Sequence, residues 1–459
     1  MNTIDNLAIS LLSKPFTVLY GPSGTGKTRA AIELAQKIND HSALLTKQNN
    51  VKEITINSNG LILEPSEDEV REMVTANIYN DNNFEAEKDG QLFPIQIECC
   101  SNIKFINSSD ETIYSPNGTA TAKINIHIDD HLSCYKVIPV ASNWSDNKSL
   151  IGYINPFGTN GETIYEITPF IELLLLANHP NNVNKPFFSI LDEMNLSHVE
   201  YYLSDILSLM EISQYGENEV INFDTLKVVK RTLQLNYSKY NHYLLTAAEL
   251  LLNSNKGLIV PQNFFIVGTI NLDETTQMLS NKVLDRAHLI KIDTLSPSQA
   301  IDSTGYSSIF TNEDMYNKFS RIIPLNYYEN FKDIYNTLAI PSTFKYPNSD
   351  DLINLLDVLY NELQTIDQSF GYRVIQEVFT YMITGFEFYD KDPIYLDTLL
   401  NNALNQKVLV KLHGNRRTLP MACNGLKAKL DEATFSEVFK RLDNLLFRLE
   451  LRGQATFIS

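Results

Sequence analysis

Short apolar runs that end on glycine or on polar side chains recur through the first 296 residues, separated by stretches whose apolar positions repeat at helical spacing. KPFTVLYG enters a glycine-rich turn at Gly21, and TRAAIELAQKIND continues with a helical period, which predicts strand, loop and helix in succession. YKVIPVA (135–141), KPFFSILDEMN and VPQNFFIVGTIN (260–271) repeat the strand half of that design; the second ends in Asp192 and Glu193, the third in Asn271. Buried strands alternating with helices and ending in polar residues predict a parallel sheet with its site at the C-terminal edge. NPFGTNGETIYEITPF predicts a hairpin turning at TNGE, followed by the helix IELLLLA.

Two segments break this rhythm. Residues 41–130 are rich in Asn, Ser, Asp and Glu, with alternating runs such as PIQIECC, NIKFIN and KINIHI, and are expected to form a β-rich insertion. Beyond Pro297 the strand pattern stops and DLINLLDVLYNELQTI, RVIQEVFTYMI and ATFSEVFKRLDNLLFRLE predict helices. The expected organisation is therefore an α/β core over 1–296, containing the 41–130 insertion and a hairpin insert at 151–168, followed by an α-helical domain over 297–459.

Composition adds limits. A chain of 459 residues with 43% hydrophobic and 20% charged residues has room for two or three packed units. The net charge is −18, and the 41–130 insertion, with six Lys/Arg against fifteen Asp/Glu, carries half of it. That balance opposes broad phosphate contact, so nucleic acid is expected to be met locally or through a partner. The insertion suits a basic protein partner, a DNA-mimicking role, or simple reinforcement of an assembly. Cys99, Cys100, Cys134 and Cys423 lack metal-ligand spacing and fit a reducing compartment. With no basic leader pattern and no run near ~20 apolar residues, the expectation is a cytoplasmic protein without membrane contact.

The chemistry concentrates at GPSGTGKT, from Gly21 to Thr28, a complete eight-position phosphate-binding signature between a strand and a helix. Gly21, Pro22, Ser23, Gly24, Thr25 and Gly26 shape a loop whose backbone N–H groups converge on phosphates, Lys27 reaches the β and γ phosphates, and Thr28 offers its hydroxyl to Mg²⁺. Such a loop binds without hydrolysing, so an acid on the metal side and a group that activates water must come from elsewhere. Asp192 suits the first role and Glu193 the second. Asn271, ending the next strand, is placed to position the same water, although an Asn at a strand end is also a common turn former. Arg286, in VLDRAH, is a candidate arginine finger and otherwise a surface arginine. Arg373, in GYRVI at a helix start, is a candidate second sensor of the γ phosphate. KLHGNRR, with Arg416 and Arg417, is the most basic local cluster: a contact for a partner, a neighbour or nucleic acid, or a solvated loop.

These residues resemble the McrB-type AAA+ motors of modification-dependent restriction systems, in the branch that also holds MoxR-like and dynein-like ATPases. The likeness rests on LDEMNLSHVEYYLSDILSLME (191–211), FFIVGTINLDETTQMLSNKVLDRAH (264–288) with Asn271-Leu272-Asp273 at its centre, WSDNKSLIGYINP (144–156), FGYRVIQE and QKVLVKLHGNRR. It implies an AAA+ core with a helical lid, and a ring, expected to be a hexamer, with Mg²⁺ and ATP or GTP between subunits. It also implies an McrC-like nuclease subunit docked on the ring, with DNA engaged through the complex. The 151–168 segment resembles the pore-facing hairpin inserted in helix 2 of this branch, making Tyr153, Asn155 and Tyr165 candidates for partner contact. With the P-loop beginning at residue 21, the expectation is that target recognition sits in the insertion, the partner or another protein. No PD-(D/E)xK-like set of acids and lysine is found, so the chain is not expected to cut DNA itself. A MoxR-like remodelling chaperone and a nucleotide-gated assembly switch are the other readings of the same core.

Overall fold

The computed structural model describes residues 1–49, 51–57, 62–64, 84–88, 91–99, 103–107, 121–128, 133–158, 161–212, 219–235, 242–272, 279–294, 306, 308–321 and 327–457. Five strands form a parallel sheet: β1 (Phe16–Gly21), β2 (Tyr135–Pro139), β3 (Phe187–Asp192), β4 (Phe264–Asn271) and β5 (His288–Lys291), in the order β5-β1-β4-β3-β2. Every residue of β1, and all but the last of β3 and β4, is buried. That is why these strands read as continuous apolar runs rather than alternating ones. Phe188 on β3, Phe265 on β4 and Phe319 on the helix Asn312–Arg321 pack with ring centroids 5.2–5.4 Å apart, sealing one region of the sheet.

The sheet order places β4 between the P-loop strand and β3. Gly21 is paired with Asn271, and Leu191 with Gly268, so the polar ends of all three strands arrive at one edge. Helices flank the sheet. α1 (Thr3–Ser13) precedes β1, and α2 (Lys27–Asn49) leaves the P-loop. The segment ahead of β1, which carries no motif of its own, is a helix capped by Asn2, whose side chain accepts from Asp5 N–H at 2.8 Å.

Among the described residues of 41–130, six strands pair antiparallel: Val51–Asn57, Ile62–Glu64, Phe84–Lys88, Gln91–Cys99, Ile103–Asn107 and Thr121–Ile128. The hairpin at 151–168 pairs Ile154–Asn155 with Ile164–Tyr165. Beyond 297 the described residues are mainly helical, including Ser349–Gln364, Tyr372–Phe388, Leu419–Lys429 and Ser436–Arg452. One correction applies there: His413–Asn415 and Gln454–Thr456 form a two-stranded antiparallel ribbon. Strands of three residues are too short to carry a legible period. Among the described residues, no helix is long and apolar enough to cross a membrane.

The helical region is fastened to the sheet through a buried ionic cluster. Glu377, on the helix Tyr372–Phe388, pairs through one carboxylate oxygen with Lys14, just before β1, and through the other with Lys407. Burial pushes the Glu377 carboxyl up, but Lys14 and Lys407 outweigh it and hold it down at about 2, against an ordinary 4.5. Burial pulls Lys407 down to about 8 even with Glu377 opposing it, because one carboxylate is shared by two ammonium groups. A depressed carboxyl contributes stability above its unfolded pKa and loses it as pH falls through the folded one. Glu377→Gln should therefore cost on the order of 3–5 kcal/mol at neutral pH, since it strands two buried lysines. It should also flatten the decline in stability between pH 4.5 and about 2; urea midpoints of both proteins across that range check the slope.

Candidate functional site

The loop Gly21–Gly26 turns from β1 into α2 with Gly24 (φ 77°) and Gly26 (φ 81°) in the left-handed region, which side chains rarely occupy. That course points successive backbone N–H groups toward one side, ahead of the helix N-terminus at Lys27. Pro22, Ser23 and Gly24 are exposed. Lys27 is buried and curls over the loop, donating to the carbonyls of Gly21 (3.0 Å) and Pro22 (2.6 Å) and to Thr25 Oγ1 (3.4 Å). Its ammonium group thus sits at the centre of the loop's curve.

Thr28, one residue on, donates to Asp192 Oδ1 at 2.5 Å. The same oxygen accepts from Thr269 Oγ1 at 2.7 Å. Thr269 in turn accepts the backbone N–H of Glu193 at 2.9 Å, so one hydroxyl on β4 holds both members of the acidic pair at the end of β3. Glu193 itself has φ 52° and ψ 44°. In a regular strand consecutive side chains point to opposite faces. The left-handed turn at Glu193 breaks that alternation and aims its exposed carboxylate at Asn271, whose Nδ2 donates to Glu193 Oε1 at 2.9 Å. Asn195 closes the end of β4, its amide donating to the Asn271 carbonyl (2.9 Å) and its Oδ1 accepting the Asn271 N–H (3.4 Å).

Thr28 and Asp192 supply two hard oxygen ligands on one side of the loop, a donor set that suits Mg²⁺, which keeps several waters and takes one or two protein groups plus phosphate oxygens. Among the described residues, no cluster of three or more His, Cys, Asp or Glu could hold a metal by itself. The arrangement can therefore hold a magnesium-bound polyphosphate at the loop and present a carboxylate, steadied by an amide, to a water beside it.

Thr269, Asn195, Tyr306 and Arg441 are at or beside this site and were not singled out by sequence. Tyr306 donates from its hydroxyl to the Thr25 carbonyl (2.8 Å) and from its N–H to Glu33 (2.7 Å). Arg441, on the helix Ser436–Arg452, donates to the hydroxyl of Tyr20, the residue before the loop, at 3.2 Å. Only Thr269 left a trace, standing two residues before Asn271 in GTIN and so on the same strand face.

The other expected residues lie elsewhere. Arg286 follows the short helix Asn281–Leu284 and donates to Ser208 Oγ at 3.2 Å. It precedes β5, whose His288 pairs with Thr17 near the start of β1, so Arg286 is at the N-terminal edge of the sheet, about 20 Å from the loop at ~3.3 Å per residue. Arg373 is exposed at the start of the helix that carries Glu377, with Lys407 in its electrostatic surroundings. Tyr165, expected as a partner contact, faces inward, its hydroxyl donating to the Ile151 carbonyl (2.5 Å) and its N–H to Thr232 (2.8 Å). Burial pushes its hydroxyl up to about 12. Tyr153 remains exposed, while Asn155 is bound to Glu166 at 2.8 Å. Arg416 donates to the Glu450 carbonyl (2.6 Å) and Arg417 is exposed; Lys411 of the same cluster pairs with Asp285. Asp273 and the turn residues Thr159 and Asn160 lie outside the described residues.

Residues 326–454 match a family described as a domain of unknown function (DUF8727). That segment covers most of the helical region, including Arg441, and none of the loop, Asp192, Glu193, Thr269 or Asn271. No curated protein matches the chain.

The left-handed turn at Glu193 costs a non-glycine residue on the order of 1–2 kcal/mol. Glu193→Gly should therefore raise the urea midpoint by an amount equivalent to roughly 1 kcal/mol, whereas Glu193→Ala should not. Equal midpoints for the two variants would mean that the turn stores no strain.

Proposed function

We propose that this chain is a P-loop nucleoside triphosphatase of the AAA+ class that works as the ring motor of an McrBC-like restriction or anti-phage complex and drives a separate nuclease subunit. The observation that carries the reading is the convergence of Thr28, Asp192, Glu193 and Asn271 from three neighbouring elements onto the edge where GPSGTGKT turns. A phosphate-binding loop beside a hydrogen-bonded acid pair has every part that hydrolysis needs within one subunit except a cation to meet charge developing on the far side of the phosphate.

In this reading the loop N–H groups and Lys27 bind the β and γ phosphates. Thr28 and Asp192 would hold Mg²⁺, which would supply charge neutralisation there. Glu193 orients a water and accepts its proton, and Asn271 fixes the carboxylate that does so. Arg286 cannot reach the loop of its own chain from the opposite edge of the sheet. The same position suits an arginine presented to a neighbour's phosphates, which makes a ring with shared sites the natural assembly. The loop selects phosphates rather than a base, so ATP and GTP are both substrates to test.

Lys27→Ala should abolish nucleotide binding and phosphate release. Glu193→Gln should retain binding but slow release by roughly 10²–10⁴-fold, the usual size of general-base contributions. Release assays with ATP and with GTP, alongside a direct binding measurement, separate the two; unchanged release by Glu193→Gln would remove its assigned role. Co-expression with the genes flanking this one, followed by mass measurement of what co-purifies, tests the motor assignment. A nuclease-bearing partner, and phage resistance lost with Lys27→Ala, are the expected results; a protein client that stimulates hydrolysis without any nuclease would favour a remodelling chaperone.

A further inference from the structure

The segment Asp285–Arg286–Ala287 is held on both sides by the buried cluster described above. Lys14 Nζ donates to the Asp285 carbonyl at 3.2 Å, and Lys407 Nζ donates to the Ala287 carbonyl at 2.7 Å. Both lysines are anchored on the two oxygens of Glu377, and Lys411 pairs with the Asp285 carboxylate. Lys407 reaches inward because residues Leu404–Val408 form a π-helical turn, whose wider winding buries Gln406 and Lys407 together. Such turns interrupt regular helices at some cost and recur at functional sites. Gln406 extends the contact, accepting from Ser10 Oγ at 3.0 Å and donating to Asn6 Oδ1 at 2.8 Å, both on α1. His288 adjoins the cluster, where burial, with Lys407 adding to it, holds its ring well below the ordinary imidazole range.

A buried ion triad is a poor way to gain stability, because apolar side chains of similar volume often stabilise as well or better. What apolar side chains cannot do is donate hydrogen bonds to two backbone carbonyls. We propose that Lys14, Glu377 and Lys407 are positioning residues: a clamp by which the helical region sets the backbone on either side of Arg286, and so the placement of that arginine for a neighbouring subunit. This rests on the shared-site reading given above. Lys14 at the end of α1, Lys407 on the π-helical turn and Lys411 just beyond it bear on these three residues, with Glu377 on the Tyr372–Phe388 helix holding the first two lysines, so a shift of the helical region against the sheet moves Arg286 with it.

The test uses full-length assembled protein. Lys407→Met removes the Ala287 donor while leaving Glu377 and Lys14 as a balanced pair, and Lys14→Met/Glu377→Leu/Lys407→Met replaces the triad with apolar side chains expected to keep the fold. Each should lower kcat for nucleoside triphosphate hydrolysis at least ~10-fold with KM little changed, as loss of a well-placed arginine does in larger measure. Mixing either variant with Lys27→Ala, which donates an intact Arg286, should restore turnover; mixing with Arg286→Ala should not. Folded variants that hydrolyse within about two-fold of the parent, or a loss that the Lys27→Ala donor fails to restore, would overturn the clamp, as would a Lys407→Met protein that does not fold. The control mixture of Lys27→Ala with Arg286→Ala separates the two levels. Rescue there with unaffected clamp variants removes the clamp alone, and no rescue there removes the shared site and the clamp with it.

Discussion

A single carboxylate oxygen, Asp192 Oδ1, accepts hydrogen bonds from Thr28 at the start of α2 and from Thr269 inside β4. The rest of the candidate site depends on that contact. It ties the glycine-rich loop to β3 through one threonine and ties β3 to β4 through the other. The second threonine also fixes the backbone of Glu193, whose left-handed turn then delivers its carboxylate to Asn271. An acid at a strand end would otherwise be a solvated terminus. Its hydrogen-bond partners turn it into the point where three elements are registered against one another, in a partly dry setting where such bonds are stronger than in water.

The sheet has a division of labour between its two edges. At the C-terminal edge the strands end in hydrogen-bonding side chains that face the glycine-rich loop, as expected for a parallel sheet whose strand dipoles and helix N-termini meet there. At the N-terminal edge the chain gathers Lys14, Asp285, Arg286 and the buried Glu377–Lys407 pair, and it is here that the helical region is fastened. The strands between the edges are buried nearly throughout. Close-packed interiors of this kind transmit displacement rather than absorbing it, so the two edges cannot move independently without disturbing the aromatic packing of Phe188, Phe265 and Phe319.

The elements with a strong local signal were legible from the chain alone. GPSGTGKT and the apolar runs ending at Asp192, Glu193 and Asn271 carry their meaning in nearest-neighbour order: a buried parallel strand must be apolar throughout, and a phosphate loop must be glycine-rich. The helix Thr3–Ser13 and the ribbon of His413–Asn415 with Gln454–Thr456 were not legible, the first because its apolar residues run directly toward β1, the second because it is too short to show a period. Tyr165 shows the same limit on a single residue. A tyrosine beside a hairpin turn is equally suited to solvent or to the core, and only the packing of helix Phe223–Leu235 against the hairpin decides for the core.

What the linear order determined, then, was the set of groups: a loop, a lysine, a threonine, two acids and an asparagine, each at the end of an element whose type its own neighbours dictate. Tertiary structure alone decided their company. It put β4 between β1 and β3, so that Thr269 could bridge Asp192 and Glu193. It closed Lys14, Glu377 and Lys407, the first and last almost four hundred positions apart in the chain, into one ion cluster beside the backbone of Arg286. The physical reason is range. Periodicity and propensity act over a few residues, whereas strand order and buried charge pairing are settled by which surfaces can be removed from water together.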